Sequence, residues 1–513
     1  MKELLMKNKN KYIYNLSFFV AVLTILVTII GCKDDAWENH YKELDSSLEN
    51  NLLSVLSEGA EYTVFVDLLE QTGYDALLET PQAYTVWAPN NTALAQVSTD
   101  ILNAPDLLSE FIGNHISRFS YNTSFAENSV LVKMLNNKSI QFSNSSGSVT
   151  FGDVNVVEKD ILTANGILHK IDDVLTVRPN VFDYLNDNAL RFPILLDFLT
   201  QFNETVFDEV NSVKIGTNTL GQPVYDSIFN SSNSYFNIIG NLSSEEERYT
   251  FIGLTDAVYE NIFDDLYDYY QHPVADSTKY YTDSAIFSNL NFPIVNLEDL
   301  DGSAITTTTG NNVIINSGNV IENYALSNGN LFVVDQLDYD PKNIIYKKIR
   351  YEVENSSRRE IGSLSDFTIQ KKYDINASGD FTNTVSLTKN PNANNSNNYF
   401  EIAFSNVLSA NYNIDLKFSP IGAAKQTKLK FEFSYVDENE NIIVNEIPAI
   451  IISNQEDGVV RIGGTYAIPV YINSNKTNNF FVKLKVIIDV SEPELLLYDR
   501  SFGIDYAELV PID

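Results

Sequence analysis

Side chains suited to nucleophilic or metal chemistry are scarce in this 513-residue chain. It has one cysteine and four histidines, His40, His115, His169 and His272, with neither an HExxH nor an HxH spacing. A disulfide within the chain and a Cys- or His-based metal centre are therefore not expected. The 68 Asp and Glu residues could supply paired carboxylates for glycoside hydrolysis, but with so many acids a pair can be drawn anywhere. The sequence thus predicts a non-enzymatic protein, with no catalytic residue and no metal ligand assigned.

The single cysteine, Cys32, lies where lipidation chemistry would act on it. Several lysines precede an apolar run at 16–31, and this run ends at Cys32. A basic n-region followed by a short apolar h-region is a secretory signal, and the run is short for a membrane span. The sequence Ile29-Ile30-Gly31-Cys32 resembles a bacterial lipobox, which implies a signal peptide at 1–31 and acylation of Cys32. The alternative is an uncleaved anchor helix with an incidental cysteine.

An acidic segment follows the cysteine. Lys33, Asp34 and Asp35 lie in a tether at 32–36 and resemble the acidic export tag of Bacteroidetes-type surface lipoproteins. The resemblance implies a lipid-anchored protein of the outer membrane that is exposed at the cell surface. The alternative is a flexible polar tether whose acids have no targeting role.

The composition of the chain limits the number of domains and the kinds of partner that are expected. The chain is 44% hydrophobic and 12% aromatic, so it can bury several cores, and its length favours two to four domains. Its 34 basic residues against 68 acidic ones give a net charge of −34. This charge repels phosphate backbones, so no nucleic-acid partner is expected.

Two short motifs organise the first third of the chain. The stretch 84–94, YTVWAPNNTAL, predicts a buried strand that ends at Pro89 and turns into a helix. It resembles the strand-to-helix signature of fasciclin-like domains, and 165–172, NGILHKID, resembles their closing signature. The resemblance implies a small β-wedge with packed helices at 37–178, including a helix from Ala104 to Phe119 that carries His115. The motif residues, for which a structural role is expected, are Thr85, Val86, Trp87, Ala88, Pro89, Asn165, Gly166, His169 and Asp172.

The same motifs recur about 165 residues further on. The stretch 249–259 aligns with 84–94, and 328–335 repeats the closing signature, which predicts a second, degenerate fasciclin-like domain at 179–341. Leu254 replaces Pro89 and Phe332 replaces His169 in this copy. Residues that one copy can lose favour a scaffold over a catalyst. Extra hairpin residues at 221–226 and a Tyr/Asp-rich insert at 263–283 distinguish the second copy.

The last third of the chain alternates apolar and polar residues with a period of two. After a connector at 342–364, this pattern predicts an all-β sandwich, resembling a jelly roll, at 365–513. The stretch 502–511, FGIDYAELVP, resembles the last strand of galactose-binding-like carbohydrate modules, and any sandwich ending on an edge strand is the alternative. The fold class expected for the whole chain is α+β.

Two acidic loops of the predicted sandwich are candidates for calcium binding. Residues 374–379 match the first half of an EF-hand loop, but position twelve of that loop would be Val385 and not Glu. Residues 437–441 lie between two strands and are more simply a hairpin loop. No cofactor is expected, apart from a structural Ca²⁺ that the sandwich could hold.

These features predict a protein that works by contact. Surface lipoproteins with an acidic tag and tandem modules resemble accessory components of starch-utilisation-type systems. That resemblance implies glycan capture, with a TonB-dependent transporter and its glycan-binding lipoprotein as partners. The alternative is adhesion to cells or matrix without a transport role. The sequence does not identify the ligand-binding residues.

Overall fold

The computed structural model describes residues 50–145, 147–337, 344–361, 367–374, 377–387, 399–473 and 481–512. The predicted signal peptide, Cys32, and the export tag Lys33, Asp34 and Asp35 lie outside these residues. The chain folds as two compact units that divide between Arg178 and Pro179. None of the described helices is long and apolar enough to cross a membrane.

The first unit, called here the first wedge, combines short helices with one sheet. Its helices are α1 (Leu52–Glu58), α2 (Thr63–Thr72), α3 (Tyr74–Leu78), α4 (Asn91–Leu94), α5 (Thr99–Asn103), α6 (Pro105–Gly113) and α7 (Thr123–Ala126). Its strands are β1 (Tyr84–Pro89), β2 (Ile116–Arg118), β3 (Val130–Lys133), β4 (Ser139–Ser145), β5 (Ser148–Phe151), β6 (Val154–Thr163) and β7 (Gly166–Ile171). Within the described residues these strands form a sheet in the order β2-β1-β7-β6-β5-β4-β3.

Strand β1 is central because all of its residues are buried. It pairs in parallel with β7 and antiparallel with β2, and strands covered on both faces read as continuous apolar runs. The chain leaves β1 at Pro89 and enters α4 at once. Asn90 caps that helix, since its side-chain oxygen accepts a hydrogen bond from the Ala93 amide at 2.9 Å.

The helix predicted from Ala104 to Phe119 is shorter than expected. Helix α6 ends at Gly113, and Ile116–Arg118 form β2, so that His115 lies in the turn between them and not on a helix. The prediction was wrong because pairing of this segment with β1, with Ile116 opposite Val86, overrides the local helical pattern.

The second unit begins with residues 179–337, called here the second wedge. Its helices are α8 (Val181–Asp187), α9 (Pro193–Thr200), α10 (Phe236–Ile239), α11 (Asp256–Tyr267) and α12 (Ala275–Phe287). Its strands are β8 (Asn203–Thr217), β9 (Pro223–Asn233), β10 (Tyr249–Leu254), β11 (Asn291–Pro293), β12 (Asp301–Thr306), β13 (Asn312–Asn316), β14 (Val320–Leu326) and β15 (Gly329–Val334). Within the described residues the main sheet has the order β11-β10-β15-β14, while β8-β9 and β12-β13 are separate two-stranded pairs.

The two insertions predicted in the second wedge take different forms. Residues 221–226 lie at the tip of the long hairpin β8-β9, called here the ribbon, whose side chains are mostly exposed. The Tyr/Asp-rich stretch 263–283 contributes to the end of α11 and the start of α12, and residues 271–274 between them are not helical.

The rest of the second unit is an all-β sandwich. Its strands are β16 (Ile349–Glu352), β17 (Arg359–Ile361), β18 (Phe367–Tyr373), β19 (Phe381–Leu387), β20 (Tyr399–Phe404), β21 (Ala410–Ser419), β22 (Thr427–Val436), β23 (Ile442–Ile452), β24 (Val459–Ile468), β25 (Val482–Ile488) and β26 (Ser501–Ile512). In the described part of the chain one sheet runs β18-β19-β26-β21-β24, with β16 also paired to β26, and the other runs β17-β20-β25-β22-β23. Alternate residues of both sheets, such as Phe431 and Leu416, meet in one apolar core. Helices with sheets, followed by an all-β region, confirm the predicted α+β class.

The sandwich begins earlier than predicted. Residues 342–364 were expected to be a connector, yet Ile349–Glu352 pair with β26 and Arg359–Ile361 pair with β20. Tyr351 and Val353 are buried in the sandwich core. The basic residues of the segment misled the prediction, because Arg350 faces the acid Glu508 of β26, at 3.0 Å, and not open solvent.

The second wedge and the sandwich pack against each other within their unit. The amide of Ser409 donates to the Tyr269 carbonyl, and that of Tyr471 to the Gln271 carbonyl, both at 2.8 Å. Tyr471 also makes edge contacts with Tyr270 and with Tyr281, with ring centroids 4.8 Å apart in both pairs.

Candidate functional site: the repeated signature motif

The two signature motifs lie side by side in the first wedge. Strands β1 and β7 pair in parallel, with Tyr84 opposite Gly166 and Trp87 opposite His169. The side chains of β1 alternate between two cores. Tyr84, Val86 and Ala88 pack among the helices, whereas Trp87 packs among the hairpin strands. The structure therefore brings the strand-to-helix and closing signatures into direct contact.

Asn165 ties three separated segments together. Its side-chain oxygen accepts from the Leu52 amide at 2.8 Å, where α1 begins. Its side-chain amide donates to the carbonyls of Leu78 and Thr80. Because Asn165 is nearly buried, these bonds use its polar atoms inside the fold.

Thr85 performs a comparable task on β1. Its buried hydroxyl donates to the Phe119 carbonyl and accepts from the Tyr121 amide, each at 2.8 Å. The chain that leaves β2 is thereby fastened to β1 where no strand pairing holds it.

His169 is fully buried and hydrogen-bonded at both ring nitrogens. Nε2 lies 2.8 Å from the Tyr121 carbonyl, so it carries the proton, and Nδ1 accepts from the Asp160 amide at 3.3 Å. Burial lowers the pKa of His169, so the ring is held neutral. It stacks on Trp87, with ring centroids 5.5 Å apart. A neutral ring with both nitrogens engaged is placed to hold the fold, not to transfer protons.

The remaining motif residues have local roles. Pro89 ends β1 opposite Ile171, and both are buried. Asp172, just beyond β7, is hydrogen-bonded to Asn155: one carboxylate oxygen accepts from its backbone amide at 3.1 Å and the other from its side chain at 2.9 Å. Asp172 is thus separate from the Trp87–His169 pair.

The second wedge repeats this framework in the same register. Tyr249 lies opposite Gly329 and Ile252 opposite Phe332, as Tyr84 and Trp87 lie opposite Gly166 and His169. Asn328, which corresponds to Asn165, accepts from the Val181 amide at 2.9 Å and donates to the carbonyls of Leu242 and Ser244.

Thr250 likewise repeats the bonds of Thr85. Its hydroxyl donates to the Val295 carbonyl at 3.0 Å and accepts from the Val295 amide at 2.8 Å. Phe332, at the position of His169, is buried and apolar. The framework therefore forms without a histidine, which fits a structural role for His169 in the first wedge.

In the two loops considered for calcium, the described acidic residues make hydrogen bonds within their own loops. The carboxylate of Asp437 accepts from the backbone amides of Asn439 and Asn441 and from the Asn441 side chain, closing a hairpin. The Asp374 amide donates to the Asp380 carbonyl, and residues 375–376 lie outside the described range. Among the described residues no group of three His, Cys, Asp or Glu side chains is arranged to hold a metal ion. A structural Ca²⁺ stays a prediction.

A different group of acids in the sandwich has incomplete hydrogen bonding, and the pKa of one member is raised. Glu352, Glu354 and Asp505 each have one buried carboxylate oxygen without a hydrogen-bond partner among the described residues. Ser378 joins two of them, since its amide donates to Asp505 at 3.0 Å and its hydroxyl to Glu352 at 2.6 Å. Burial, and then the charges of Glu352 and Glu354, raise the pKa of Asp505 to about 6. This site was not predicted, although Glu352 and Glu354 are two residues apart on a strand-like segment and so share a face.

Comparison with known proteins assigns a class to the first wedge. Residues 60–177 match the family model of the fasciclin domain. The transforming growth factor-beta-induced proteins ig-h3 of Oryctolagus cuniculus and of Sus scrofa are each 24% identical over 135 residues, which is 25% of this chain and 20% of the relative. The chain thus spans about a fifth of the length of these curated relatives.

Two solved structures are similar to this chain over part of its length. A FAS1 domain pair from the insect cell adhesion molecule fasciclin I is 17% identical, with a TM-score of 0.23, and the match covers 55% of this chain and 98% of that one. The CBM22-1 xylan-binding domain of Paenibacillus barcinonensis Xyn10C is 11% identical, with a TM-score of 0.22, over 32% of this chain and 95% of that one.

Proposed function

We propose that this protein is a non-enzymatic surface lipoprotein that binds glycans at the outer membrane, as an accessory of a TonB-dependent uptake complex. The observation that carries the proposal is that the polar motif residues Thr85, Asn165 and His169 are hydrogen-bonded inside the fold. Two of their three bonding patterns recur in the second wedge, and the third position is Phe332. A motif used in this way supports a scaffold that displays binding surfaces.

The negative net charge of the chain favours an uncharged ligand. The chain has a net charge of −34, which opposes binding of phosphorylated or carboxylated polymers. Neutral glycans carry no charge to be repelled and are recognised by hydrogen bonds and apolar contact. The predicted lipobox at Cys32 and the export tag would place such a binding protein where extracellular glycans arrive.

The match of residues 60–177 to the fasciclin domain favours a second candidate, adhesion to cells or matrix. Fasciclin-like domains generally serve adhesion or protein interaction. In this case the wedges would contact partner proteins, and no transporter would be involved.

Four measurements on cells and purified protein test the proposal. Cys32→Ala should release the protein from membranes, because acyl chains and not charge hold so acidic a protein to a bilayer. Protease added to intact cells should degrade the wild-type protein. A C-terminal tag should recover a TonB-dependent transporter, and the purified full chain should bind a neutral polysaccharide. Membrane retention of Cys32→Ala contradicts lipid anchoring, whereas attachment defects without transporter recovery favour adhesion.

A further inference from the structure

A cleft of about 770 Å³ opens in the second wedge beside the base of the ribbon. Helix α8, the ribbon, helix α10 and the start of β10 supply its walls. Tyr249 lies here at the position that Tyr84 occupies in the first wedge, but Tyr84 is fully buried whereas Tyr249 is partly exposed. The cleft thus lies where the second wedge, with its inserted ribbon, departs from the first.

The lining offers hydrogen-bonding groups of both kinds. Asn186, Asn237 and Asn241 are exposed side chains that line the cleft. The Glu247 carboxylate is held in place, since one of its oxygens accepts from the Tyr249 hydroxyl and from the backbone amide of Asn241, the latter at 3.2 Å. Amides that donate and accept, next to a fixed carboxylate that accepts, match the hydroxyl groups of a sugar.

An aromatic side chain lies beside these polar groups. Phe182 lines the cleft, is half-buried, and packs edge to face on the buried Phe236, with ring centroids 5.1 Å apart. This packing fixes the ring while leaving part of it accessible. A rigid apolar ring surrounded by a few polar groups is typical of sites that orient a small ligand.

Charge and polarity narrow the ligand class. Asp183 and Glu247 line the cleft in a strongly acidic chain, which disfavours an anionic ligand. The many amides and hydroxyls of the lining disfavour a wholly apolar one. We propose that this cleft binds a segment of a neutral glycan, with Asn237, Glu247 and Tyr249 contacting its hydroxyls and Phe182 packing against a sugar ring. The inference rests on the proposed glycan-binding function and places a binding site in the second wedge, outside the sandwich.

Affinity gel electrophoresis of residues 33–513, which lack the predicted signal peptide and Cys32, tests this site. The gels contain neutral polysaccharides built from glucose, xylose or mannose, and one gel contains polygalacturonate as an anionic probe. Asn237→Ala and Tyr249→Phe should each weaken binding to the retained neutral polysaccharide about tenfold, since each removes a ligand hydrogen bond. Asn439→Ala, an exposed asparagine in a hairpin turn of the sandwich, is the matched control and should bind as wild type.

The possible outcomes distinguish failure of the cleft proposal from failure of the proposed glycan-binding function. Weakened binding in both cleft variants, with an unchanged melting temperature and a normal control, supports the cleft. Wild-type affinity in both variants overturns the cleft but leaves the proposed glycan binding intact. Retention on polygalacturonate alone overturns the neutral ligand class, and no retention of the wild type on any gel overturns the proposed function together with the cleft.

Discussion

Gly166 lies directly against the carbonyl oxygen of Tyr84, so that a Cβ at position 166 would overlap that oxygen. Gly329 has the same relation to Tyr249 in the second wedge. The Asn-Gly pair of the closing signature therefore has two physical tasks. The asparagine joins three segments, and the glycine lets β7 or β15 approach the central strand.

Gly166→Ala should destabilise the first wedge by about 1–3 kcal/mol, because the backbone of β1 or β7 must shift to admit the methyl group. Gly329→Ala should cost a similar amount in the second wedge. Urea unfolding measures both. Gly216→Ala is the control, since a Cβ there meets nothing within 4 Å, and it should leave the midpoint unchanged. Equal midpoints for all three variants would contradict the role of the close approach.

Trp87→Ala should lower the free energy of unfolding of the first wedge by about 3–5 kcal/mol, the cost of emptying a large buried site. Trp87 is fully buried and stacks on Phe151, with ring centroids 3.8 Å apart. Trp87→Phe should cost less, about 1–2 kcal/mol, because an aromatic ring remains. It also removes an indole N–H that has no hydrogen-bond partner among the described residues. An unchanged thermal midpoint for Trp87→Ala would be incompatible with this packing.

The first wedge should lose stability as the pH falls from about 6.5 to 4. Burial lowers the pKa of His115 to about 4, while the ring bonds the Phe111 carbonyl at 2.9 Å and the Leu175 amide at 3.1 Å. The unfolded chain therefore takes up the proton first. The free energy of unfolding of the first wedge is therefore unaffected above the unfolded pKa of about 6.5. It decreases by up to about 3 kcal/mol as the pH approaches 4.

Trp87 fluorescence in a Trp37→Phe background measures this dependence, because Trp37 is the second tryptophan of the chain. Denaturant titrations at pH 7 and pH 4.5 give the change in free energy. His115→Gln should show a smaller change than the wild type, since Gln does not titrate. The same pH dependence in both proteins would assign it to other groups.

Asp505→Asn should stabilise the sandwich at pH 7 in EDTA by about 1–3 kcal/mol. The raised pKa of Asp505, about 6, means that ionisation costs more in the folded state than in the unfolded chain. The penalty is therefore complete above pH 6 and vanishes below about pH 4, so the advantage of Asn should vanish there too. Thermal midpoints of the wild type and of Asp505→Asn at pH 4 and pH 7 measure this difference. Destabilisation by Asp505→Asn at pH 7 would show that the carboxylate has a cationic partner.

The central part of each wedge could be predicted because its determinants are local. Tyr84–Pro89 is an apolar run that ends at a proline, and Asn165-Gly166 is a compact signature, so both motifs and their repeat are legible in the sequence. The sequence does not show that His115 lies in a turn, because β2 forms only through its pairing with β1.

The parts that were missed depend on distant partners. Arg350 looked solvated, yet its side chain pairs with Glu508 and lies over the Tyr506 ring, 3.8 Å from its centroid. The cleft of the second wedge is likewise assembled from segments that the ribbon separates in sequence. Neither spacing nor composition reports such contacts.

The parallel pairing at the centre of each wedge also sets how the chain folds. Tyr84 meets Gly166, and Tyr249 meets Gly329, across about 80 intervening residues, so each pairing closes a long loop before it gains contacts. Loop closure of this length slows the conformational search. The wedges should therefore fold slowly for their size, with the helices and hairpins in place before the central strands join.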